Sequence, residues 1–360
     1  MSTLSCGIVG LPNVGKSTLF NALTKSSIPS ENYPFCTIDP NVGAVLVHDE
    51  RLERLSLLSS SKKIIPALVT FVDIAGLVKG AATGAGLGNQ FLSHIRETDA
   101  IVMVVRCFQD ENVIHVAGRV DPLDDIEVIQ LELILADLQM LENLTPKLEK
   151  QAKTKKELEP LLPLLALAKK HLEASQPIRT LPQSHLLKPF NFLTLKKILY
   201  ICNVAESDLP SLTNPLVEKV RAFAEKEGSS VVPICAKIEE EISQLSPSDA
   251  IEFLTALGLS ESGLTRLARA AFDLLGLITF ITTGEIETRA WTLKRGMTAA
   301  EAAGKIHSDI EKGFIRAEVI SYADYIQYKS RPAARDAGKA RSEGREYVVQ
   351  DGDVILFYHN

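Results

Sequence analysis

Long hydrophobic runs are missing from this 360-residue chain, and so is any paired cysteine motif. Purely apolar stretches such as Leu164–Ala168 fall far short of the roughly 20 residues that a membrane helix needs, so no membrane partner is expected. The five cysteines, Cys6, Cys36, Cys107, Cys202 and Cys235, are scattered without a CxxC spacing. That argues against a zinc site or a disulfide frame and for reduced thiols, most of them small core residues, in a cytoplasmic protein. No secretory signal stands at the start, where the first apolar stretch runs straight into a glycine-bearing loop. No internal repeat is visible. A net charge of −6 argues against a chain wholly dedicated to nucleic acid, and no DNA partner is expected. Apolar residues make up 46% and charged residues 23%, an ordinary globular balance, and the length suits two or three cores.

Three regions separate by pattern. Residues 1–120 alternate short apolar runs with helical periodicity. Leu4–Val9, Ala67–Asp73 and Ala100–Arg106 read as buried strands, and helices follow at Ser17–Ser26 and Gly88–Thr98. Residues 121–197 read as a helical arm, two helices over Ile126–Leu148 and Lys150–Ser175 joined by a lysine-rich turn and interrupted by Pro160 and Pro163. The strand–helix pattern resumes over 198–277, so the arm is an insertion. The expected fold is α/β, a doubly wound, mostly parallel sheet with a helical coiled-coil insertion. Residues 278–360 are β-rich again and read as a separate small α+β module.

Gly10–Ser17, GLPNVGKS, has the GxxxxGK[ST] spacing and lies between a strand and a helix. Backbone N–H groups of Asn13, Val14, Gly15, Lys16, Ser17 and Thr18 would turn onto phosphate oxygens, aided by the positive end of the following helix. Lys16 would reach the β- and γ-phosphates, and the Ser17 hydroxyl would ligate Mg²⁺. Asp73-Ile74-Ala75-Gly76 ends a strand, where the carboxylate of Asp73 would orient Mg²⁺ through water and the Gly76 N–H would sense the γ-phosphate. Thr37 is a candidate second hydroxyl ligand for the metal; a loop threonine near a proline reads the same way. Together these parts describe the γ-phosphate sensor of a switch.

Asn32–Asn41 (NYPFCTIDPN), Asp73–Leu92 (DIAGLVKGAATGAGLGNQFL) and Asn203–Glu206 (NVAE) closely resemble the YchF or Obg-like ATPase family, a branch of the translation-factor GTPases. The resemblance covers essentially the whole chain. It implies ATP preference and a ribosomal partner, ribosomal RNA included. In the C-terminal module, Ala303–Asp309 and Lys312–Ala317 resemble the TGS domain, a ubiquitin-like β-grasp fold. Asn13 stands where related P-loops supply an oxygen to a monovalent cation, so K⁺ stimulation is a further expectation.

Guanine is usually read by an NKxD motif, whose Asp accepts from the base. Here the lysine is missing, and Glu206 is one methylene longer than the expected Asp. Asn203 would bond the N6/N7 edge of adenine, with Val204, Cys235 and Ala236 completing the pocket; a degenerate guanine pocket is the rival reading. Leu77 follows the DxxG where a water-orienting glutamine is usual, so intrinsic hydrolysis should be slow. The resemblance assigns that role to His115, which also reads as an ordinary surface histidine.

Residues 147–197 carry eleven Lys/Arg against four Glu, a footprint for RNA phosphates or simply a solvated face. Residues 329–345 hold six Lys/Arg and two acidic residues. Tyr322, Tyr325 and Tyr328 have the spacing of a core-facing helix, though stacking on bases would also use them. The combined expectation is a Mg²⁺-dependent ATPase switch. The alternatives are a GTPase on the same fold, or a ribosome- or RNA-binding scaffold with a weakly active site.

Overall fold

The computed structural model describes residues 4–25, 41–74, 87–110 and 119–360. In chain order the elements run β1 (Ser5–Val9), α1 (Lys16–Lys25), β2 (Val42–Val47), α2 (Glu50–Ser59), β3 (Ile64–Ile65), β4 (Ala67–Asp73), α3 (Leu87–Glu97), β5 (Ala100–Arg106), α4 (Pro122–Ala152) and α5 (Leu161–Glu173). They continue with β6 (Ile198–Asn203), α6 (Pro215–Glu227), β7 (Ser230–Ile234), α7 (Ala236–Ile242), α8 (Pro247–Ala256) and α9 (Gly263–Leu274). The last third holds β8 (Leu277–Thr283), β9 (Thr288–Lys294), α10 (Ala299–Ile306), α11 (Ser308–Lys312), β10 (Phe314–Ile320), α12 (Tyr322–Tyr328), α13 (Arg331–Asp336), β11 (Arg341–Glu343) and β12 (Val354–His359).

Packing divides the chain into two compact units. One takes the described residues of 4–25, 41–44 and 70–267; the other takes 45–69 and 268–360. Residues 45–69, read from sequence as part of the nucleotide-binding region, group with the C-terminal unit.

In the first unit the strand order is β2-β4-β1-β5-β6-β7, and the β4–β1, β1–β5, β5–β6 and β6–β7 pairs are parallel. Parallel neighbours need crossovers, which α1, α3, α4 and α6 supply, and helices on the faces explain why β5 and β6 are buried at every position. The strands' C-terminal ends share one edge of the sheet, so the chain emerging from β1, β4, β6 and β7 gathers there.

The helical arm starts where Asp121 caps α4 and Pro122 presets its first turn. Ile134, Leu141 and Leu148 repeat at seven-residue spacing along α4 and bury against Leu164, Leu165, Ala168 and Leu172 of α5. Pro160 and Pro163 sit at the N-cap and in the first turn of α5, where the missing N–H costs nothing, so they start this helix rather than break it. Asp137 of α4 is fully buried and accepts from the N–H groups of Leu193 and Thr194 at 2.9 and 2.7 Å and from the Thr194 hydroxyl at 2.7 Å. Burial pushes its carboxyl above the ordinary range against the pull of those bonds.

In the second unit the strand order is β11-β10-β12-β8-β9-β3. The β8–β9 hairpin is antiparallel, β12 lies parallel to β8, and β10 pairs antiparallel with β12 and β11. With α10 packed over Phe280, Leu293 and Val319, this is the β-grasp arrangement. Beyond it β3 adds a sixth strand beside β9, and α2 packs against β8 and β9. Arg51 of α2 anchors the segment: it reaches Asp49 and Asp351 at 2.8 Å each and the Thr279 hydroxyl at 3.0 Å. Thr279 and Asp351 are distant in sequence, which is why spacing alone did not place residues 45–69 here.

Candidate functional site

The phosphate loop leaves β1 after Val9 and enters α1 at Lys16. Two of its residues take left-handed backbone, Asn13 with φ 64° and Gly15 with φ 94°. At Gly15 a Cβ would lie 2.1 Å from Nδ2 of Asn203, so this position needs glycine for space as well as for φ. Val14 is fully buried, Asn13 and Ser17 are exposed, and Thr18 is half-buried.

β4 lies beside β1 with Asp73 in register with Ile8. That register brings the Asp73 carboxylate to 2.5 Å from the Lys16 ammonium, with side-chain exposures of 24% and 11%. Residues 57 positions apart thus converge at one point beside the loop. The sequence reading assigned one of them to phosphate and the other to the metal. Ser17 and Asp73 offer only oxygen donors, the donor set that suits Mg²⁺, an ion content with few protein ligands. Thr37, Gly76, Leu77 and His115 lie outside the described residues.

The base-reading segment follows β6. Asn203 is buried and its carboxamide joins two loops: Nδ2 donates to the Val14 carbonyl at 3.0 Å, and Oδ1 accepts from the Ala236 N–H at 3.0 Å. Sequence reasoning gave this amide to the adenine edge; the structure engages one donor and its carbonyl oxygen in holding the phosphate loop to the β7–α7 junction. Val204 is buried beneath it, and its N–H continues the strand by donating to Ile234. Cys235 is buried too, and burial pushes its thiol above the usual range. Glu206 forms an ion pair with Lys237, the residue after Ala236, and that pairing holds the Lys237 ammonium above its ordinary value. Nothing in the local spacing of the sequence reveals which carboxylate Lys237 meets.

The two basic stretches differ. On the arm Lys147, Lys150, Lys153, Lys155 and Lys156 are exposed around the α4–α5 turn, while Arg179 is drawn into a buried pair with Glu227 at 2.8 Å. In 329–345 the charges are largely paired within the unit. Arg331 and Arg335 meet Glu318 at 3.2 and 2.8 Å, Lys339 meets Asp324, and Arg341 meets Asp353 and Glu343. Tyr325 is buried in its unit, the core-facing reading of that helix.

A glycine-bearing phosphate loop between a strand and a helix, its lysine beside the carboxylate of the next parallel strand, and a base segment tied to the loop define a P-loop nucleoside triphosphatase of the GTPase type. Comparison with known proteins agrees in detail. The family described as "50S ribosome-binding GTPase" matches residues 5–144, and YchF-GTPase_C, described as "Protein of unknown function (DUF933)", matches 277–360. The chain is 52% identical over 360 residues to the ribosome-binding ATPase YchF of Haemophilus influenzae, with 99% of each chain covered. It is 52% identical over 363 residues to the protein of that name in Bacillus subtilis, again with 99% of each covered. A solved structure, the Schizosaccharomyces pombe YchF GTPase, superposes with a TM-score of 0.89 at 37% identity, covering 99% of this chain and 98% of that one. The chain belongs to the YchF family. The relatives' names divide between ATPase and GTPase, so the base site carries the decision.

No helix among the described residues is long and apolar enough to cross a membrane.

Proposed function

We propose that the chain is a cytoplasmic, Mg²⁺-dependent ATPase that hydrolyses ATP to ADP and phosphate as a conformational switch and binds the ribosome. The observation that carries the chemistry is the convergence of Lys16 and Asp73 beside the phosphate loop. Lys16 and the loop N–H groups stabilise charge on the phosphates, worth most where water is excluded. Ser17 and Thr37, with Asp73 acting through water, would hold Mg²⁺, which when bound neutralises phosphate charge. Gly76 reports the γ-phosphate and His115 orients the attacking water, in place of the glutamine that Leu77 replaces. Asn13 would lend its oxygen to K⁺, so hydrolysis should run faster in K⁺ than in Na⁺.

ATP preference is supported by the missing lysine and the lengthened carboxylate of Asn203–Glu206, and by the two bacterial relatives named ATPases. Residues 1–120 and 198–277 supply the nucleotide-binding domain in this reading, 121–197 the arm, and 278–360 the TGS-like module. The test is equilibrium competition between ATP and GTP for the purified chain with Mg²⁺. Tighter ATP binding is expected; tighter GTP binding would retain the switch and overturn the base assignment.

A further inference from the structure

We propose that Lys237 is a specificity-determining residue, which sets the base preference by occupying the carboxylate of Glu206. The proposal rests on the ATPase reading and deepens it.

Purines differ in polarity at N1: guanine carries an N–H there, flanked by an exocyclic NH₂, whereas adenine carries a lone pair. A free carboxylate at the fourth position of the motif suits guanine, because it accepts from both donors, and it repels the adenine lone pair. In this chain that carboxylate is not free. Asn203 is buried and held from both sides, by Val14 and by Ala236, which fixes the start of the Asn203–Glu206 segment against the β7–α7 junction. Lys237 immediately follows Ala236, so the hydrogen bond that anchors Ala236 also places the lysine stem beside Glu206, and the two side chains form an ion pair. Guanine would have to displace an ammonium to reach the carboxylate oxygens. Adenine meets a carboxylate whose charge Lys237 neutralises. Both members of the pair are partly open to solvent, with side-chain exposures of 48% for Glu206 and 69% for Lys237, so the effect is a change of ratio rather than of all binding.

The experiment is ATP and GTP competition with Mg²⁺ on the full chain, for the wild type, Lys237→Met, Lys237→Arg, Glu206→Gln and the Glu206→Gln/Lys237→Met double variant, each confirmed as folded by thermal melting. Lys237→Met is expected to lower the ATP-over-GTP affinity ratio about fivefold, mostly through tighter GTP binding, the scale of one exposed ion pair. Lys237→Arg should keep the wild-type ratio. In the Glu206→Gln background, removing Lys237 should leave the ratio unchanged, because no carboxylate is released. An unchanged ratio in Lys237→Met, or an equal drop in the Glu206→Gln background, overturns the proposal. A wild type that prefers GTP contradicts the ATPase reading by itself, and that result is read without any variant.

Discussion

Asn203 shows how far a residue's chemistry can differ from its local motif. Its amide suits a purine edge, yet it bonds Val14 across 189 residues and Ala236 across 33. The phosphate loop was legible because all its parts lie within eight consecutive residues whose spacing carries the mechanism. The tie from Asn203 to Val14 and the pairing of Glu206 with Lys237 were not, since each exists only once β1, β6 and β7 are aligned in the sheet. Asn203→Ala should therefore weaken ATP and GTP alike, by about ten- to a hundredfold, the loss of hydrogen bonds worth about 1–3 kcal/mol. Titration with fluorescent nucleotides checks this. Loss of ATP affinity alone would show that the amide reads adenine instead of holding the loop.

Among elements, β1, β4 and β5 were legible almost to the residue, because each is a short apolar run. The antiparallel arm was legible from its helical periodicity. The segment with α2 and β3 was missed: β3 is two residues long, and Arg51 finds its partners Thr279 and Asp351 more than 200 positions away. The ion pairs of residues 329–345 were not legible either, since Glu318 lies on β10, outside that window. Burial alone would raise the Glu318 carboxyl, but hydrogen bonds from Arg335 and Arg331 outweigh it and hold the group below its ordinary range. A depressed carboxyl stabilises the fold above the unfolded-state pKa, and that stability is lost as pH falls through the folded value. Glu318→Gln should cost about 1–3 kcal/mol at neutral pH. Its difference from the wild type should shrink steadily below about pH 4. The single tryptophan, Trp291 on β9 in the same unit, gives a fluorescence readout for denaturation at each pH. A difference equal at pH 3 and pH 7 would remove the ionised carboxylate from the account.

At the scale of the whole molecule, a chain of net charge −6 concentrates exposed lysines at the tip of the arm. If that tip meets ribosomal RNA, its contribution is counterion release, steep in salt and indifferent to sequence. Replacing Lys150, Lys153, Lys155 and Lys156 by Glu should lower co-sedimentation with ribosomes about tenfold or more at low salt and flatten its salt dependence. Unchanged binding would move the contact elsewhere. The central claim, that Lys16 and Asp73 mark a working ATP-hydrolysing site, is tested most directly by phosphate release from ATP and from GTP under single-turnover conditions, with wild type and Lys16→Ala compared in Mg²⁺. The account predicts faster release from ATP than from GTP and loss of both in Lys16→Ala by about a hundredfold or more. Release that is equal in Lys16→Ala, or confined to GTP, would contradict it.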